Sequence, residues 1–67
     1  MDRHVEFIHD VLISLHENLS ELQQRKNFAE PEELSYIEAK IIAYQEVLAI
    51  LKMSADQFKI PRQELGL

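Results

Sequence analysis

Cysteine is absent from the chain, glycine occurs once and proline twice. Without thiols there is neither a disulfide framework nor a thiolate metal site to staple a small fold. So few glycines and prolines leave few places for the chain to turn. Long apolar runs are missing too. Val11-Leu12-Ile13 and Val47-Leu48-Ala49-Ile50-Leu51 are the longest, far short of the about 20 residues that span a bilayer as a helix. The start, Met1-Asp2-Arg3-His4, lacks the basic stretch and apolar core of a signal peptide. A cytoplasmic chain with no membrane partner is the expectation. Positive charge is also scarce, with 7 bases against 12 acids and a net charge of −5. Such a field repels phosphate backbones, and neither Arg25 with Lys26 nor Lys59 with Arg62 makes a basic stripe. No direct nucleic-acid contact is expected.

What the sequence does have is apolar rhythm. Apolar residues are 46% of the 67, and charged residues 28%, a balance that suits one small folded unit. Val5, Ile8, Leu12, Leu15, Leu19 and Leu22 step 3-4-3-4-3, and so do Leu34, Ile37, Ile41, Tyr44, Leu48 and Leu51. That spacing lays each set along one stripe of a helix, whereas a strand needs a period of two. Pro31 suits a first helical turn, and Glu32 and Glu33 complement the positive end of the helix dipole. Arg25 and Lys26 complement the negative end of the preceding helix, with Asn27 as a left-handed cap. The expectation is all-α: helices over about 2–26 and 31–54, joined by Asn27 to Glu30 into an antiparallel hairpin. Pairing the stripes across the turn sets Leu22 against Leu34 and so on to Val5 against Leu51. Every pair of residue numbers sums to 56, so six layers stay in register, each an a position facing a d position.

Beyond residue 54 two readings compete. Ala55 and Phe58 continue the heptad, while Ser54 and Gln57 fit a capping box that opens a separate turn. Ile60 precedes Pro61 and so leaves the helical region. The segment 55–67 is therefore a helix extension, a short helical turn or a tail.

A hairpin covers only one stripe of each helix, which recovers too little of the chain entropy lost on ordering. The flanks of the seam differ in what they offer. On one, Val11 faces Val47 at g positions, with Phe7, Ala43 and Ile50 beside them. On the other the facing residues are polar: His16 by Glu38, His9 by Gln45, Asp2 by Lys52. Only Ile13, Ile42 and Ala49 add apolar area there. The expectation is a homodimer joined through Phe7, Val11, Ala43, Val47 and Ile50, making a four-helix bundle. The competing expectation is a monomer whose tail covers that same face through Phe58, Ile60 and Leu65.

Candidate chemistry is thin. Glu6 and His9 have the Glu-x-x-His spacing of di-iron bundles, but lie off the seam opposite the apolar residues Val47 to Ile50. His9 and His16 are separated by roughly 10 Å of helix, too far to share an ion. Glu30, Glu32, Glu33 and Glu38 read as a solvated helix start. Ser35, Tyr36 and Tyr44 form no triad, and the Tyr44 hydroxyl should reach the edge of the core. The turn, Ala29-Glu30-Pro31-Glu32-Glu33-Leu34 with Ser35 after it, resembles the two-helix aspartyl-phosphate phosphatases of sporulating bacteria. That family is marked by Ser-Gln-Glu-Leu-Asp, where this chain has Ser35-Tyr36-Ile37-Glu38-Ala39, and the activity does not carry over.

The sequence thus points to a non-enzymatic interaction or regulatory module with no catalytic residue, metal or cofactor. Its partners are itself and another protein, with Phe58, Ile60, Leu65 and Leu67 as a docking segment. The alternative is a metal-dependent or phosphatase-like enzyme built at a dimer interface from Glu6, His9, Glu38 and Glu46.

Overall fold

The computed structural model describes residues 3–67, and the expected contact of Asp2 with Lys52 lies outside them. Helix α1 spans Arg3–Lys26, helix α2 spans Pro31–Gln57, and a 3-10 turn covers Arg62–Leu65. The described residues contain no strand. At the start of α2, Glu30 is extended and makes no side-chain cap. Its carbonyl accepts from the Glu33 and Leu34 N–H groups at 2.9 and 3.0 Å, and Pro31 has no N–H to orphan.

The end of α1 corrects one expectation. Lys59, not Asn27, is the one non-glycine residue with positive φ among those described. The last turn of α1 instead tightens to 3-10 bonds, Asn27 N–H to Gln24 at 3.2 Å and Phe28 N–H to Arg25 at 3.0 Å. Those bonds occupy terminal carbonyls without a left-handed residue.

The two helices pack along the expected seam. All twelve stripe residues are buried or half-buried. Ile37 is deepest, at 1% exposure. It clusters with Leu22 and Ile41, and Leu19, Ala29 and Tyr44 close around them. The Tyr44 hydroxyl does reach the core edge, where it accepts from Asn18 Nδ2 at 3.1 Å.

Helix α2 runs three residues past its expected end. Ala55, the next seam position, is buried, and that burial outweighs the capping box that Ser54 and Gln57 offer. The helix then stops in a Schellman arrangement. Lys59 N–H bonds Asp56 at 3.1 Å and Ile60 N–H bonds Ala55 at 2.8 Å, with Lys59 at φ 58°. Phe58, expected to extend the seam, caps the helix where the backbone begins this turn, and it is 75% exposed. The same pair of bonds recurs at the chain end. Gly66 N–H bonds Gln63 at 3.2 Å and Leu67 N–H bonds Arg62 at 3.0 Å, with Gly66 at φ 77°.

The molecule is a thin rod of 43 × 21 × 14 Å. Its radius of gyration is 14.2 Å, against about 11 Å for a compact fold of this length. The core is accordingly a single file of layers.

Candidate functional site

The polar residues singled out in the sequence do not converge. His9 Nε2 donates to the Glu64 carbonyl at 2.6 Å, so the Glu-x-x-His pair is not aimed at a shared ligand. Glu38 does not take His16 as its partner; its carboxylate lies 3.8 Å from Lys26 Nζ. Lys26 is the last residue of α1, and its long side chain reaches back from the turn to Glu38. Glu6, Glu46, Glu30, Glu32 and Glu33 are all exposed. Tyr36 lies under Lys40, with Nζ 5.1 Å from the ring centroid. Among the described residues no three His, Asp or Glu side chains are placed to hold a metal ion. No buried side-chain polar atom among them lacks a partner. No described helix is long and apolar enough to cross a membrane. The features that stand out are the two flanks of the seam.

The first flank is divided along its length. Toward the turn it is polar: Asn18, Glu21, Arg25, Lys40 and Tyr44 line a hollow of about 200 Å³. Toward the open end it carries Phe7, Val11, Ala43, Val47 and Ile50, all exposed. Phe7 and Ile50 stand out most, at 66% and 62%. These are the residues expected to join two copies, and they stay exposed with every other described residue in place.

The second flank is where the tail lies, which corrects the alternative of a tail covering the apolar face. The 3-10 turn packs against both helices. Its residues Gln63 to Gly66 face His9, Leu12, Ile13 and His16 across a cleft of about 280 Å³. The direction is set at the hinge: left-handed Lys59 reverses the chain and Pro61 holds the next step extended. Of the four residues expected to dock a partner, Leu65 and Leu67 are half-buried, while Phe58 and Ile60 face solvent.

Polar contacts tie the tail down. One is the His9–Glu64 bond. Another is a bidentate pair in which Arg62 Nε and a terminal guanidinium nitrogen approach the two Asp56 carboxylate oxygens at 3.1 and 2.7 Å. The hydrogen bonds from Arg62 hold the Asp56 carboxyl below its usual 3.8; desolvation opposes them, and the Arg62 charge adds to them. The same contact raises Arg62 above its ordinary value. The two residues are six apart across a proline, so helical spacing gave no signal of this pair.

The accessible surface is 5414 Å². A folded monomer of 7.9 kDa ordinarily exposes about 4,400 Å². The excess, roughly 1,000 Å², compares with the about 800 Å² that one partner covers at a standard interface. No protein-family model matches the chain, and no curated protein or solved structure is significantly similar to it.

Proposed function

We propose that the chain is a non-enzymatic protein-interaction module that works as a homo-oligomer. Two hairpins meet through Phe7, Val11, Ala43, Val47 and Ile50 to form a four-helix bundle, and the assembled bundle binds or regulates another protein. The observation that carries this reading is the exposed apolar half-flank, which no described segment of the chain covers. The surplus of accessible area supports it, because a thin two-helix core leaves apolar surface whose burial favours association. Polar residues toward the turn give that patch a rim, as in ordinary interfaces. Exposed Phe58 is the best-placed residue for contact with the second protein, beside Ile60.

Sedimentation at micromolar concentration tests the dimer. The expected species has twice the mass of the 7.9 kDa chain. Ile50→Asp places a charge in the face and is expected to weaken association at least about tenfold, the equivalent of ~1.4 kcal/mol. A compact single-chain species at these concentrations overturns the reading.

A further inference from the structure

We propose that the two copies meet side by side with their turns at the same end, and that the polar half of the first flank sets this orientation. The inference rests on the proposed dimer through Phe7, Val11, Ala43, Val47 and Ile50, and adds which way round the second copy lies.

The flank forms one stripe on each helix. From the open end to the turn it carries Phe7, Val11, Asn18 and Arg25 on α1, and Ile50, Val47, Lys40 and Glu33 on α2. Every one of these is exposed. A twofold parallel to the rod stacks α1 of each copy over α2 of the other. Stacked helices are then antiparallel, as they are within the hairpin, and the seam register carries over. Phe7 and Ile50 of the other copy have numbers that sum to 57. The pairs Val11 with Val47, Asn18 with Lys40 and Arg25 with Glu33 sum to 58. Those values lie within two of the seam's 56, so the members of each pair share a level. Apolar side chains therefore meet apolar ones toward the open end. Toward the turn Asn18 meets Lys40 and Arg25 meets Glu33, each contact made twice by symmetry. Neither Arg25 nor Glu33 has an ion-pair partner in its own chain among the described residues.

A twofold across the rod fits less well. At full overlap it lays each apolar half on the polar half of the other copy, with Val11 beside Asn18 and Phe7 beside Glu21. Centred on the patch, it matches the apolar residues but leaves both turn ends overhanging, with Arg25 and Glu33 in solvent. Area separates the arrangements as well. The rod is 43 Å long and 21 Å wide. Full overlap covers an area on the order of the 800 Å² that one partner contributes to a standard interface, and overlap of the patch alone covers about half of that. Charges at the rim of an interface fix register and exclude wrong pairings more than they add affinity, and that is the part given to Arg25 and Glu33.

The chain has no cysteine, so one introduced thiol carries a unique nitroxide label. Phe28 lies at the turn and is 87% exposed. Phe28→Cys is labelled, and the separation of the two labels in the dimer is read by pulsed dipolar spectroscopy. The expected separation is well short of the 43 Å length of the rod. Asn27→Cys carries the same measurement if Phe28→Cys loses helix. A labelled dimer whose separation equals or exceeds the rod length overturns the arrangement alone. A labelled chain that sediments singly overturns the dimer, and the arrangement with it. In the unlabelled chain, Arg25→Glu is expected to weaken association at least about threefold, because it turns two attractions into two repulsions. Circular dichroism verifies that the hairpin is retained. Adding Glu33→Arg is expected to restore association. Indifference to Arg25→Glu, or weakening that Glu33→Arg does not reverse, overturns the role given to the polar half.

Discussion

The two ends of the hairpin solve the same problem differently. At the turn end Leu22, Ile37 and Ile41 cover one another, and Leu19, Ala29 and Tyr44 close around them. There the four-residue connection brings the helices together and supplies Ala29 as a lid. At the open end no connection exists, and the chain returns only as a short tail on one side. Ala55 is buried, but Phe7, Val11, Val47 and Ile50 stay in solvent. The lesson is that α2 is apolar over more of its circumference than one partner helix can cover. Its seam face serves the fold, and the surplus is left where the fold is least complete.

Three changes sharpen that contrast. The largest effect is expected at the turn end. Ile37→Ala deletes the deepest side chain and is expected to cost about 2–5 kcal/mol, read by urea denaturation. The loss should be the same at every protein concentration, because the apolar contact proposed between copies lies at the other end. A loss that shrinks as concentration rises would join the two ends into one cooperative assembly. A smaller effect of opposite sign is expected at the open end. Lys59 holds a left-handed backbone that costs a side-chain-bearing residue about 1 kcal/mol. Lys59→Gly should recover a good part of that as thermal stability. An unchanged or lower melting temperature means that Lys59 holds the tail by more than its backbone.

The smallest effect is confined to acid. The Asp56 carboxyl is held below 3.8 in the folded chain, so the folded state favours its ionised form. The contribution to tail docking is complete above that value and is lost as pH falls through the lowered folded one. Exchange at the Leu67 amide should therefore be steady from pH 5 to 8 once corrected for intrinsic rate. It should accelerate below about pH 4. In Asp56→Asn that added acid sensitivity should vanish, and its persistence would show that the Asp56–Arg62 pair is not what acid releases.

The seam was the most legible part of the sequence. Twelve residues in a 3-4 rhythm encode burial directly, because a helix has only one way to place them on a stripe. Pro31 and Lys26 marked the inner helix ends for equally local reasons. The exposed patch of Phe7, Val11, Ala43, Val47 and Ile50 followed from the same register. The tail did not. Its stop relies on a lysine in a conformation that composition rules reserve for glycine or asparagine, and Asn27, which fits those rules, does not adopt it. Which flank the tail chooses depends on the hinge angle at Lys59 and Pro61, not on where apolar residues lie. The pairings of His9 and Glu38 were missed for a related reason. Heptad neighbours were assigned by level alone, whereas a tail carbonyl and the long reach of Lys26 supplied other partners.

The brevity of the link between the helices has a kinetic consequence. Closing four residues is the cheapest loop this chain can make, and the layers nearest to it hold the densest core. Pairing then spreads outward one layer at a time, each step shortening the next search. The patch between Phe7 and Ile50 is the last part of the zipper to be drawn up. If the patch joins two copies as proposed, association follows the pairing of the helices.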